Sequence, residues 1–188
     1  ELMNHSWKDW WESPTCLTIV NNSKRYNYNQ VNLPSPENSY QELIKCLKTT
    51  ENLQTLELIH GDLCFNNILA DPLSGSVQLI DPRGEQPTGA FTPIGFGDKR
   101  YDMVKLLHSG RYLYDSISND LFDINILSPA LVELEIHVPR HYHAVNNAIN
   151  KHFISNSLNQ YDEMYLTSSL FLSMLPLHKE NGKRCVAF

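Results

Sequence analysis

Glycine is missing from the first part of this chain. There are eight glycines in 188 residues, and none precedes Gly61. Nothing ahead of that point reads as a glycine-rich loop able to wrap backbone N–H groups around a phosphate. Positive charge is short as well: 15 Lys and Arg against 21 Asp and Glu leave a net charge of −6. Such a balance does not give the basic face that a nucleic acid requires. No uninterrupted apolar run approaches the ~20 residues of a membrane span, and no stretch of the sequence reads as a signal peptide. The four cysteines, Cys16, Cys46, Cys64 and Cys185, lie far apart and form no Cys-x-x-Cys pair. Read as free thiols in a reducing compartment, they imply a cytoplasmic protein. Cys64 has no basic neighbours in sequence, so it does not read as an activated thiol. Internal repeats and low-complexity tracts are absent.

What is present is concentrated in residues 58–84. A short apolar run, Leu56, Leu58 and Ile59, leads into a polar knot, His60-Gly61-Asp62-Leu63-Cys64-Phe65-Asn66-Asn67. Two further apolar runs follow, 67–70 and 77–80, separated by the turn formers Asp71-Pro72-Leu73-Ser74-Gly75-Ser76. The second run stops at Asp81. Two short strands around a tight turn predict a hairpin, whose outer ends, Asn67 and Asp81, become neighbours. Asp62 lies just upstream on the feeding loop.

Two carboxylates and a carboxamide on one rim form an all-oxygen set, which a hard cation such as magnesium prefers. Phosphoryl transfer uses such a set: cations neutralise the phosphate oxygens while a further carboxylate orients the attacking hydroxyl. Read singly, Asp62 is a helix-cap or turn aspartate, and Asn67 and Asp81 are turn punctuation. It is the ordered spacing that carries the chemistry. An Asp with an Asn five residues on, then a strand-ending Asp, matches the catalytic-loop and metal-binding order of protein kinases.

His60-Gly61-Asp62 with Asn67, followed by Ile80-Asp81-Pro82-Arg83-Gly84, resembles the aminoglycoside phosphotransferase and choline kinase branch of the protein-kinase-like fold. The resemblance implies that Asp62 is the catalytic base and that Asn67 and Asp81 hold magnesium on the phosphates of ATP. It makes His60 a structural brace, read as a buried, hydrogen-bonded histidine. Arg100-Tyr101-Asp102-Met103-Val104-Lys105 looks like the family's Arg-x-x-Asp segment opening the next helix, with Asp102 structural. Arg83 can face a phosphate or an anionic substrate group, or pair with Asp98 or Asp102. Asp-Pro-Arg-Gly with the following Lys-Leu-Leu-His-Ser-Gly looks like phosphotransferases found with bacterial capsule and surface-polysaccharide genes. These matches cover roughly residues 56–110.

The expected fold is α+β and mainly helical, a kinase-like C-terminal lobe built on a small catalytic β-hairpin. Residues 1–34 would be an irregular or hairpin segment, 35–118 the catalytic core and 119–188 a helical part. Residues 1–59 are too short for a nucleotide-cradling lobe plus the helices that precede the catalytic loop in the family, so an N-terminal kinase lobe is expected from the full-length chain. The apolar ending at Phe188 suggests that the natural chain continues. Along the chain, Trp7, Trp10 and Trp11 mark a packing face. Residues 16–20 read as a strand and 26–31 as its hairpin partner, with 33–36 a loop. Residues 36–49 form an amphipathic helix with Tyr40, Leu43, Ile44 and Leu47 on one face. Residues 82–98 form a loop in which Gly95 to Gly97 signal no more than a turn. A helix spans 99–109 with Met103, Val104, Leu106 and Leu107 inward, with 111–115 as its extension. Residues 119–127 stay open between helix and strand. Residues 131–138 alternate as a strand, and a helix runs from Pro139 to about residue 156. Residues 162–175 form a largely apolar, buried helix. His137, His141 and His143 do not share a face and have no acidic or sulfur partner, so they are not read as a zinc site.

The activity this implies is magnesium- and ATP-dependent transfer of phosphate to a hydroxyl of a small molecule such as a sugar or amino alcohol. The rival readings are a non-catalytic kinase-like binding module and a protein kinase. The latter is disfavoured by Gly61 where protein kinases carry an arginine.

Overall fold

The computed structural model describes residues 25–49, 57–83, 95–128, 131–151 and 158–188. In chain order the elements are β1 (Arg25–Tyr28), β2 (Val31–Pro34), α1 (Pro36–Thr49), β3 (Glu57–Leu58), β4 (Ile68–Ala70), β5 (Val77–Leu79) and β6 (Phe96–Gly97). There follow α2 (Lys99–Gly110), α3 (Tyr114–Ser118), β7 (Phe122–Ser128), β8 (Leu131–Ile136), α4 (Tyr142–Ile149), α5 (Gln160–Met174) and α6 (Gly182–Ala187). The expectations for the three tryptophans, the strand at 16–20, the loop at 84–94 and the helix at 152–156 lie outside the described residues.

The fold is α+β, and the chain divides into two units. The first holds β1, β2, α1, α3, β7, β8, α6 and α5 from Ser168 onward. Its turn at Asn29 and Gln30 has φ of 47° and 67°, the left-handed pair of a type I′ hairpin. It splits the expected 26–31 strand in two. Asn29 accepts this backbone because its side chain continues the sheet: Oδ1 accepts from Leu134 N at 2.7 Å and Nδ2 donates to Leu134 O at 2.8 Å. The sheet runs β2-β1-β8-β7, with β1 parallel to β8 and the other pairs antiparallel. Residues 119–127, left open in sequence, are therefore mostly strand β7. Val132 on β8 is buried while Glu133 and Glu135 face solvent, the alternation that marks a half-covered strand. Ile117 of α3 is buried, and Tyr28 donates from its hydroxyl to Val186 O at 3.2 Å. Burial pushes the Tyr28 phenol up to about 12. Phe188 gathers the rings of Tyr114, His178 and Phe171 at centroid distances of 5.7, 5.0 and 6.0 Å.

The second unit holds β3 to β6, α2, α4 and α5 through Thr167. Phe96 and Gly97, read as a mere turn, form β6 and pair antiparallel with β3. The expected hairpin is β4 against β5, in the register Ile68 with Leu79 and Ala70 with Val77. Helix α2 matches its expected start but does not continue through 111–115. It ends at Gly110, and Leu113 takes a left-handed φ of 58° before α3 begins. Helix α4 begins at Tyr142 rather than Pro139. His137 N still bonds Leu121 O at 2.9 Å, so the strand pairing runs past β8 and Pro139 follows too soon to start a helix. Helix α5 is not uniformly apolar inside: Glu163 and Thr167 are buried while Tyr161 and Met164 are exposed. Glu163 tolerates burial because the Arg111 guanidinium and the Tyr112 hydroxyl, at 2.8 Å, both reach its carboxylate. Arg100 ties the start of α2 to α5, at 2.5 Å from Asp98 and 3.0 Å from Asp162.

Candidate active site

Gly61 sits near the start of the polar knot with φ of +78°, where a β-carbon would lie 3.0 Å from Arg83 Cβ and 3.3 Å from Arg83 O. The left-handed backbone and the close approach both demand glycine. Arg83 N donates to His60 O at 2.8 Å, so the chain leaving β5 runs alongside the knot. His60 closes the other side. Its Nε2 lies 2.9 Å from Ile80 O, which can only accept, so Nε2 carries the proton and Nδ1 accepts from Asp62 N at 3.3 Å.

Helix α2 grips this loop along one face. Asp102 accepts from His60 N at 2.6 Å and from Gly61 N at 2.8 Å. One turn on, Lys105 Nζ lies 2.7 Å from Asp62 Oδ1. A further turn on, Ser109 Oγ accepts from Phe65 N at 3.3 Å. Residues three and four apart share a helix face, so Asp102, Lys105 and Ser109 form a polar stripe that follows the loop from residue 60 to 65. The stripe runs through a packed helix: Val104, Leu106 and Leu107 are buried, as are Lys105 and His108.

Asp62 is therefore surrounded by donors. Besides Lys105, Arg83 Nε lies 3.8 Å from Oδ2, and Asn67 Nδ2 donates to Asp62 O at 2.9 Å and to Oδ2 at 3.3 Å. Burial would raise the Asp62 pKa, but the hydrogen bond and charge of Lys105, the charge of Arg83 and the Asn67 bond outweigh it. Together they hold the carboxyl below its ordinary value. Because Asn67 uses its NH2 on Asp62, its carbonyl oxygen is left as the atom able to ligate a cation. Ile80 N bonds Asn67 O at 3.0 Å, and Asp81 follows directly with a left-handed φ of 53° and an exposed side chain. The structure thus joins His60, Asp62, Asn67, Arg83 and Asp102 in one bonded network and puts Asp81 at its edge. Neither ion-pair partner considered for Arg83 is the one it takes. Asp98 holds Arg100, Asp102 holds backbone N–H groups, and the guanidinium turns to Asp62.

Sequence reasoning missed Lys105, Ser109 and His108. The signal available was the spacing of Asp102, Lys105 and Ser109 down a helix whose neighbouring positions are apolar. His108 is fully buried, and burial, followed by the charge of Lys105, drives it down to about 3 against the opposing charge of Asp62. Among the described residues no group of three or more His, Cys, Asp or Glu could hold a metal, and no helix is long and apolar enough to cross a membrane. Compared with known proteins, the chain matches no family model, no curated protein and no solved structure.

Proposed function

We propose that this chain carries the catalytic half of a phosphotransferase, a protein-kinase-like C-terminal lobe that moves a phosphoryl group from ATP to a hydroxyl of a small molecule such as a sugar or amino alcohol. The observation that supports it is the bond between Asp62 and Asn67 at the mouth of a hairpin whose other end carries Asp81. Asp62 orients the attacking hydroxyl. A carboxylate held below its usual pKa is a weak base, and a loose phosphoryl-transfer transition state needs orientation of the nucleophile more than early removal of its proton.

The Asn67 carbonyl and the Asp81 carboxylate are hard oxygen donors that fit magnesium. A pair of protein ligands suits an ion that keeps waters and takes phosphate oxygens as partners, so the metal would bind with the nucleotide rather than alone. When bound, it would neutralise charge on the phosphates. Arg83, exposed at the same rim, is placed to meet a phosphate or an anionic substrate group. The reading sets the protein in the cytoplasm, where ATP and reduced thiols coexist. The capsule-like Asp-Pro-Arg-Gly sequence favours a precursor of a surface polysaccharide as acceptor.

The test uses the full-length protein, magnesium-ATP labelled on the γ-phosphate, and a panel of hexoses, amino sugars and amino alcohols, with water as the background acceptor. Asp62→Asn should lower transfer by roughly 10²- to 10⁴-fold, the usual worth of a positioned acid–base group, with folding checked by calorimetry because the change leaves the Lys105 ammonium without its counter-charge. Retention of near-full transfer in that variant would overturn the assignment. No transfer together with no thermal stabilisation by magnesium-ATP would instead leave a non-catalytic binding module.

A further inference from the structure

We propose that Lys105 is a positioning residue for the transfer: from the second turn of α2 it fixes Oδ1 of Asp62, so that Oδ2 is the oxygen presented to the acceptor hydroxyl. The inference rests on the function proposed above and adds a residue that the sequence motif does not contain.

The distances divide the two oxygens. Oδ1 is held at 2.7 Å by an ammonium whose side chain is 7% exposed. The partners of Oδ2 are looser: Asn67 at 3.3 Å and Arg83 at 3.8 Å, the latter on a side chain 64% exposed. An incoming hydroxyl can displace a long contact to an exposed arginine more readily than a short one to a buried lysine. Lysine is rarely buried without a partner, because stripping water from an ammonium is costly unless an opposite charge replaces it. A surface arginine alone could have supplied the positive charge.

What Lys105 adds is a fixed direction. It stands between Asp102 and Ser109 on the helix face that also holds the backbone of His60, Gly61 and Phe65. The same rigid element therefore sets both the loop and the rotation of the Asp62 carboxylate. A phosphate-binding role fits less well, since the ammonium is buried and spent on Asp62.

The test is kinetic, in the full-length protein with magnesium-ATP and the best acceptor of the panel. Lys105→Met keeps the length of the side chain and removes its charge. It should lower kcat by about 10²-fold, the scale of a small misplacement of a reacting group, with the KM for ATP within about twofold of wild type. In an Asp62→Asn background the same change should cost nothing further, because a residue acting through Asp62 has nothing left to position. Calorimetry confirms folding. If the methionine variant does not fold, Lys105→Gln and Lys105→Ala are measured the same way, and added ethylammonium should restore part of kcat to the alanine variant. A folded variant with unchanged kcat, a loss seen only in the KM for ATP, or losses that multiply in the double variant would each overturn the inference while leaving the phosphotransferase intact. An inactive wild type would overturn both.

Discussion

Asp102 uses its two carboxylate oxygens on two successive N–H groups, those of His60 and Gly61. Asp102→Asn swaps one acceptor for a donor and leaves an N–H facing an NH2, which costs about 1–3 kcal/mol for a part-buried group. At about 2–4 °C per kcal/mol for a chain of this size, calorimetry should record a melting temperature several degrees lower. Transfer should slow as well, because the loop loses its clamp. An unchanged melting temperature would show that the loop holds its shape without Asp102. At this scale the sequence was informative in one direction only. That His60, Gly61, Asp62 and Asn67 meet in one bonded loop was legible because their spacing is local. Gly61 alone supplies a left-handed turn against Arg83. Lys105 was not legible, because its contact spans the chain from the loop to α2, and a lysine inside a helix reads by default as a solvated charge. The stripe with Asp102 and Ser109 was visible in spacing but had meaning only once the loop was laid against it.

Elements were legible where local chemistry decides them. The β4–β5 hairpin follows from apolar runs flanking Asp71 to Ser76, and there Asp71 closes the turn by accepting from Leu73 N at 2.9 Å and Ser74 Oγ at 2.5 Å. Helix α1 begins where Ser35 Oγ accepts from Asn38 N at 3.2 Å. Ends were less legible where tertiary contact decides them, and the end of α2 is the clearest case. A β-carbon on Gly110 would meet Ile149 Cδ1 of α4 at 2.7 Å and Phe65 Cζ at 3.1 Å. A side chain there would have to push aside the tips of Ile149 on α4 and of Phe65 in the loop that follows Asp62. Alanine recovers up to ~1 kcal/mol of helix propensity, less at a helix end, while overpacking a tight site costs about 1–3 kcal/mol. Gly110→Ala should therefore be mildly destabilising, and Gly110→Val more so, with a melting temperature lower by a further few degrees. If either variant is more stable than wild type, the contact between α2 and α4 is looser than described.

Across the whole molecule, the buried histidine sets how stability responds to acid. His108 is buried, and its pKa falls from 6.5 to about 3 because burial and the Lys105 charge outweigh the opposing Asp62 charge. The unfolded chain therefore binds a proton below pH 6.5 that the folded chain refuses. Stability must fall as pH drops from 6.5 toward 3, at up to about 1.4 kcal/mol per pH unit for that one proton. His178, in the other unit, is lowered by burial and by Arg184 and acts in the same direction. Asp98 and Asp120 are held low by Arg100 and Arg184 against burial, and their contribution is lost only near and below the ordinary carboxylate range. The window from pH 6.5 to 4.5 thus belongs chiefly to histidine, and the carboxylates steepen the loss beneath it. Denaturant unfolding at half-unit pH steps should show this slope in wild type. His108→Leu, close in volume and unable to take up a proton, should flatten it above pH 4.5, leaving the smaller part due to His178. Because the chain divides into two units, a probe of each is needed: tyrosine and phenylalanine signals around Phe188 for the first, and a probe near α2 for the second. The flattening should be confined to the unit that contains α2. A slope that survives His108→Leu undiminished in that unit would mean that the histidine is protonated inside the fold, with Asp62 winning over burial, and the electrostatics assigned to the Lys105–Asp62 pair would have to be reversed.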